Sequence, residues 1–108
     1  MEKVQSFEAW ERVRQQEQPF LLFVKTNHCS VCEGLYPQVE ALQEQYQMPS
    51  YMVNAAEVPE MAGQLSLFTA PVVLLYAEGK EFARFARFVP MDELKYRIEQ
   101  LLDGGDAL

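Results

Sequence analysis

Cysteine is nearly absent from this chain: of 108 residues only Cys29 and Cys32 are cysteines, and two residues separate them. Two cysteines cannot build the disulfide framework that supports small secreted domains. In a reducing compartment a close pair points instead to catalysis or metal binding. Histidine and tryptophan occur once each. Positive charge is also in short supply, with nine Lys and Arg against sixteen Asp and Glu and a formal net charge of −7. A polyanion would be repelled at long range, so nucleic acid is not an expected partner. No apolar run approaches the ~20 residues that a membrane-crossing helix requires. The longest, "PVVLLYA" at 71–77, has the length of a buried strand. The opening "MEKVQS" is polar and lacks the basic-then-apolar layout of a secretory signal. A cytoplasmic protein without a membrane partner is therefore expected. Solenoid-length repeats, low-complexity tracts and linkers are missing too. One domain over 1–108 is expected, long enough to bury a core without staples.

What is present alternates between short apolar runs and amphipathic stretches. Phe7, Trp10 and Val13 follow helical spacing after Ser6, a good N-cap, which predicts a short helix from Phe7 to about Gln16. Pro19 stops it, and "FLLFV" at 20–24 is a continuous apolar run that suits a strand covered on both faces. A second helix carries Leu35, Val39, Leu42 and Tyr46 on one stripe, and Met48-Pro49-Ser50 closes it. Tyr51 to Val53 reads as a short strand, "AEVPEMAGQLSLF" as a short helix and loop, and Val72 to Tyr76 as a buried strand. Gly79 supplies the positive φ of a hairpin turn, after which a strand runs through Phe88. Pro90, Asp92 and Glu93 open a last helix with Met91, Leu94, Ile98, Leu101 and Leu102 on one stripe. "DGGDAL" reads as a frayed tail. This order predicts an α/β protein with a mixed sheet and helices on both faces.

Three chemistries are open to the cysteine pair: redox exchange, half of a metal site, or two inert buried thiols. At a strand end that opens a helix, Cys29 would sit near free backbone N–H groups and the positive end of the helix dipole, which favour thiolate. Cys32 extends the stripe of Leu35, Val39, Leu42 and Tyr46, and so turns toward the core. An accessible thiolate and a shielded thiol suit attack on a disulfide followed by resolution of the mixed disulfide. Zinc takes four ligands, and the chain has neither a second cysteine pair nor a histidine besides His28, which adjoins Cys29. No metal is expected in one chain; a cluster bridged across a dimer stays open.

At this point the residues resemble the thioredoxin-like family. Cys29-Ser30-Val31-Cys32 follows an apolar strand and opens a helix, and Pro37 matches the proline that kinks the family's active-site helix. Ala70-Pro71 stands where the family places its cis-proline loop, and Gly79 matches its hairpin glycine. The resemblance runs from the first helix to about Leu102. It implies a thioredoxin fold with four strands, or five if Glu2 to Gln5 pairs at an edge. It also implies a thiol–disulfide oxidoreductase acting on protein or low-molecular-weight disulfides. Cys29 attacks, Cys32 resolves, and His28, Ala70 and Pro71 bind substrate, with Ala70-Pro71 cis. The chemistry calls for no cofactor; the implied partners are a disulfide substrate and a thioredoxin-reductase-type electron donor, with the protein a monomer.

The departures from the family bear on activity. His28 precedes the first cysteine where the family usually has tryptophan, and Glu33 follows the second where it has lysine. The family's buried aspartate, six residues before the first cysteine, is replaced by Phe23. That keeps a rival in play, a binding module with the same fold and little turnover. "FARFARF" at 82–88 would put Phe82, Arg84, Ala86 and Phe88 on one strand face and Ala83, Phe85 and Arg87 on the other. It reads as an edge strand whose arginine stems cover aromatics, or as an apolar and cationic lip for a partner.

Overall fold

A computed structural model describes residues 1–103; the predicted tail beyond them lies outside the described residues. Five strands form one mixed sheet in the order β1-β3-β2-β4-β5: β1 (Glu2–Lys3), β2 (Phe20–Lys25), β3 (Ser50–Asn54), β4 (Val72–Ala77) and β5 (Lys80–Ala86). β3 runs parallel to both β1 and β2, while β4 is antiparallel to β2 and β5. The helices are α1 (Phe7–Val13), α2 (Ser30–Tyr46), α3 (Pro59–Leu65) and α4 (Met91–Leu102).

Alternation along the strands distributes side chains between two cores. Phe20, Leu22 and Val24, with Val72, Leu74 and Tyr76, face α1 and α3 and enclose Trp10 and Met61. Leu21, Phe23, Val73 and Leu75 face the other way, onto α2 and α4, and meet Cys32, Leu35, Val39, Leu94, Ile98 and Leu101. Both faces are covered, which is why β2 and β4 read as continuous apolar runs rather than alternating ones. Among the described residues no helix is long and apolar enough to cross a membrane.

The local signals act as their chemistry requires. Ser6 Oγ accepts the Ala9 N–H (3.0 Å) and starts α1, which ends at Val13 rather than near Gln16. Gln47, in the left-handed conformation (φ 51°), closes α2 before Pro49 is reached, so Ser50 is free to begin β3. Glu78 (φ 54°) and Gly79 (φ 77°) both take positive φ in the two-residue β4–β5 turn, as the twist of a tight hairpin demands. Pro37 lies inside α2, where it removes one backbone donor. Leu102 is exposed rather than part of the buried stripe of α4.

Strand β5 departs most from its sequence pattern. A register shift lets Glu81 pair with Tyr76 while Ala83 pairs with Leu75, which leaves Phe82 as an extra residue. Such a bulge re-aims a side chain. Phe82 accordingly packs against the core that holds Ala83 and Phe85, with the Arg97 guanidinium 4.9 Å from its ring centroid. Arg84 stays outside and grips Glu81 with two hydrogen bonds of 2.9 and 2.8 Å. The strand ends at Ala86, not Phe88. Arg87 takes φ 70° and the Phe88 N–H bonds back to the Ala86 carbonyl (2.8 Å), a γ-turn.

Candidate active site

β2 delivers the chain to the edge of the α2/α4 core, and the loop 26–29 carries it into α2. Buried Asn54 on β3 steadies that loop. Its Nδ2 donates to Asn27 Oδ1 (2.8 Å), and its Oδ1 accepts the Ala56 N–H (2.9 Å), so both ends of this buried amide are used. His28 follows with φ 55°, a left-handed conformation that histidine tolerates better than most residues, and its side chain is exposed. This turn sets Cys29 at the N-cap of α2.

Cys29 and Cys32 are disulfide-bonded, with their Cα atoms 5.2 Å apart. The Cys32 N–H donates to Cys29 Sγ (3.1 Å) and the Glu33 N–H to the Cys29 carbonyl (3.1 Å). The first sulfur therefore occupies the position where a helix presents unpaired donors and its positive end. The two cysteines differ in access. Cys29 is half-buried rather than fully exposed, whereas Cys32 is 1% exposed inside the α2/α4 core.

Ala70 packs against the same core as both cysteines, and the Ala70–Pro71 peptide bond is cis. Pro71 is buried, and its carbonyl accepts the Arg87 N–H (2.7 Å), which ties the γ-turn to the proline loop. Large apolar side chains stand exposed on these same segments: Val31 between the cysteines, Phe68 just before Ala70, and Phe88 just after Arg87. Phe68 and Ala70 also share a small pocket with Thr26 of the loop before Cys29.

Behind Cys32 lies a second pocket, about 270 Å³, lined by Phe23, Lys25, Cys32, Glu33, Tyr36 and Met52. Phe23 is fully buried, stands opposite Met52 in the β2–β3 ladder and meets the Tyr36 ring edge-on at 5.4 Å. Burial, and then the carboxylate of Glu40, push the Tyr36 phenol above its usual range. It stays neutral wherever thiol chemistry runs and is no base. Reading the sequence singled out Phe23 and Glu33 but passed over Lys25 and Tyr36. Alternation along Leu21, Phe23 and Lys25 was the available signal for Lys25, hidden because "FLLFV" is apolar on both faces. Among the described residues no group of three or more His, Cys, Asp or Glu is placed to hold a metal ion.

A bonded Cys-x-x-Cys at a helix N-terminus, beside a cis-proline loop in a five-stranded mixed sheet, defines a thioredoxin-fold dithiol protein. The chain belongs to the thioredoxin family: residues 2–100 match that family's profile. It is 35% identical over 81 residues to the thioredoxin-like protein YdfQ of Bacillus subtilis, covering 74% of this chain and 72% of that one. Its fold superposes on Fasciola hepatica thioredoxin with a TM-score of 0.82 at 20% identity, covering 93% and 98% of the two chains. Plasmodium falciparum thioredoxin superposes with a TM-score of 0.84, again at 20% identity over 93% and 98%. Family, fold and cysteine pair together support a thiol–disulfide redox role, that of a thiol–disulfide oxidoreductase in general.

Proposed function

We propose that the protein reduces protein disulfides, and low-molecular-weight ones less selectively, through a mixed disulfide on Cys29. The observation that carries this reading is the unequal access of two bonded sulfurs. Cys29 at the helix tip is reachable, and Cys32 at 1% exposure is not. Cys29 thiolate attacks a substrate sulfur and expels the other, and Cys32 then attacks Cys29 to release the substrate. The pair returns to the dithiol by exchange with an electron donor of the thioredoxin-reductase type.

Protein substrates fit best because Val31, Phe68 and Phe88 are exposed apolar groups on the segments around the pair, and such clusters mark protein contacts. Ala70 holds the substrate in an extended pose through its backbone. Pro71's carbonyl is already taken by Arg87, which leaves Ala70 as the presenting residue. His28, exposed in the turn just before Cys29, contacts substrate there. The protein acts as a monomer in the cytoplasm.

Phe23, buried where the family keeps an acid, favours a second reading in which the groove holds a partner with little turnover. One experiment separates the two. The pair is titrated against glutathione or dithiothreitol buffers, and reduction of a protein disulfide is followed with dithiothreitol as donor. Catalytic turnover abolished by Cys29→Ser is the expected result. A redox-active pair without turnover leaves the binding module standing.

A further inference from the structure

The pocket behind Cys32 contains a charge that the family chemistry does not require. Leu21, Phe23 and Lys25 occupy alternate positions of β2 and point to the α2/α4 side. The first two are fully buried, and Lys25, half-buried at the strand end, lines the pocket together with Cys32. Among the described residues no carboxylate lies within ion-pair distance of the Lys25 ammonium. Its backbone is occupied elsewhere, opposite Asn54 in the ladder and accepting the Ala55 N–H at 2.9 Å. The side chain is thus not needed to hold the strand.

We propose that Lys25 is the positioning residue for the resolving step, its ammonium stabilising the Cys32 thiolate across their shared pocket. This rests on the exchange reading above. In that step the substrate is bonded to Cys29 and Cys32 carries a thiol. Cys32 loses its proton to solvent base through the pocket, and its thiolate attacks Cys29 Sγ. The Cys29–Cys32 bond forms, the bond to the substrate breaks, and the substrate leaves as a thiolate that solvent protonates. The dithiol supplies the two electrons, and one proton leaves as another is taken up.

Burial alone disfavours a thiolate at Cys32, and Phe23 offers it no base. The charged or titratable groups facing it are Lys25 from β2, Glu33 and Tyr36 from α2, and Cys29 at the helix tip beside His28; β3 presents apolar Met52. Tyr36 is neutral, with Glu40 and the Met1 amino group beyond it. Glu33 is exposed and opposes the anion, whereas Lys25 favours it. Of these groups, Lys25 is the cation that lines the pocket itself, and its charge has the sign that favours a thiolate.

The test titrates Cys32 directly, by ultraviolet thiolate absorbance of folded, reduced Cys29→Ser protein, with Lys25→Met, Lys25→Gln and Lys25→Arg added in turn. Removing the charge should move the inflection up by about one pH unit, and Lys25→Arg should leave it in place. Lys25→Gln carries the same expectation as Lys25→Met if the latter does not fold. In otherwise native protein, resolution of a preformed mixed disulfide near neutral pH should slow about tenfold in Lys25→Met. An unchanged inflection, or an equal shift in Lys25→Arg, overturns the assignment. Formation of the mixed disulfide is followed separately, trapped in Cys32→Ser. If none forms, the exchange reading itself falls. If it forms and then resolves in native-cysteine protein at a rate independent of Lys25, only the role of Lys25 falls.

Discussion

Strand β2 builds two unlike regions from consecutive residues. Toward α1 and α3, Phe20, Leu22 and Val24 join a buried aromatic cluster: Trp10 meets Phe20 and Tyr76 edge-on, with centroids 6.1 and 5.4 Å apart, and Phe20 stacks on Tyr76 at 5.1 Å. Toward α2 and α4, Leu21, Phe23 and Lys25 lead to a bonded cysteine pair and a pocket that opens beside it. The aromatic face offers no reactive group, and its contribution is apolar burial with aromatic geometry. The cysteine face leaves a pocket next to Cys32 and a cation in its lining. Both faces carry a buried core, and the sheet confines the chemistry to one of them.

The largest expected effect is on the aromatic face. Trp10→Ala should cost about 3–5 kcal/mol of stability, measured by denaturant unfolding, because the ring is 1% exposed and its removal leaves a cavity. Under conditions where the mutant is still folded, the rate of Cys29 alkylation should equal that of the native protein. A changed rate would show that the faces are coupled and break the comparison.

Next in size is Phe23→Asp, which puts a base beneath Cys32. General-base assistance typically brings 10²–10⁴-fold, so single-turnover resolution of the mixed disulfide should quicken by about 10² if the carboxylate ionises. An unpaired buried carboxylate costs several kcal/mol, so a less stable fold is expected with the faster rate. Comparison of folded native and mutant proteins across roughly pH 6 to 9 decides the matter. No acceleration anywhere in that range means that proton removal does not limit the cysteine face.

Arg87→Gly should have a smaller effect and the opposite sign. A side chain at φ 70° is strained, glycine is not, and the gain should be about 0.5–1 kcal/mol after glycine's greater unfolded-state entropy is subtracted. Thermal unfolding reads it. A loss instead would assign the Arg87 side chain a stabilising role at the rim beside Phe88.

The smallest effect concerns the clasp of α2 on α4, where the Tyr46 hydroxyl donates to Glu99. That hydrogen bond pushes the Tyr46 pKa up from 10.0 to about 12. A group whose folded pKa is raised contributes stability below its unfolded pKa and loses it as pH rises through the folded one. The clasp should therefore act fully below pH 10 and fade toward about 12. Spectrophotometric titration should show one late tyrosine that Glu99→Gln returns toward its ordinary range; an unmoved titration would remove the clasp from this face.

Several of these features were legible in residues alone. Ser6 before an i, i+3, i+6 stripe, Gly79 between two strand runs, and Cys32 in line with Leu35 and Val39 are local or periodic signals, and each has the expected place. The bulge at Phe82 and the strand end at Ala86 were not legible. A three-residue repeat of Phe and Arg carries no mark of where a ladder slips, and the slip depends on how β5 meets β4. Likewise the left-handed Arg87 follows from the Pro71 carbonyl that its N–H must reach.

By itself the sequence determined the family, the order of elements and the position of the cysteine pair at a helix start. Helical and strand periodicity, turn residues and a two-residue cysteine spacing are all properties of neighbours along the chain. Tertiary structure alone decided that Asn54 anchors the loop through Asn27 and that Lys25 shares a pocket with Cys32. Those are contacts between residues distant in sequence, created when strands pair and a helix packs over them. An apolar run such as "FLLFV" does not say which of its two buried faces will carry the chemistry.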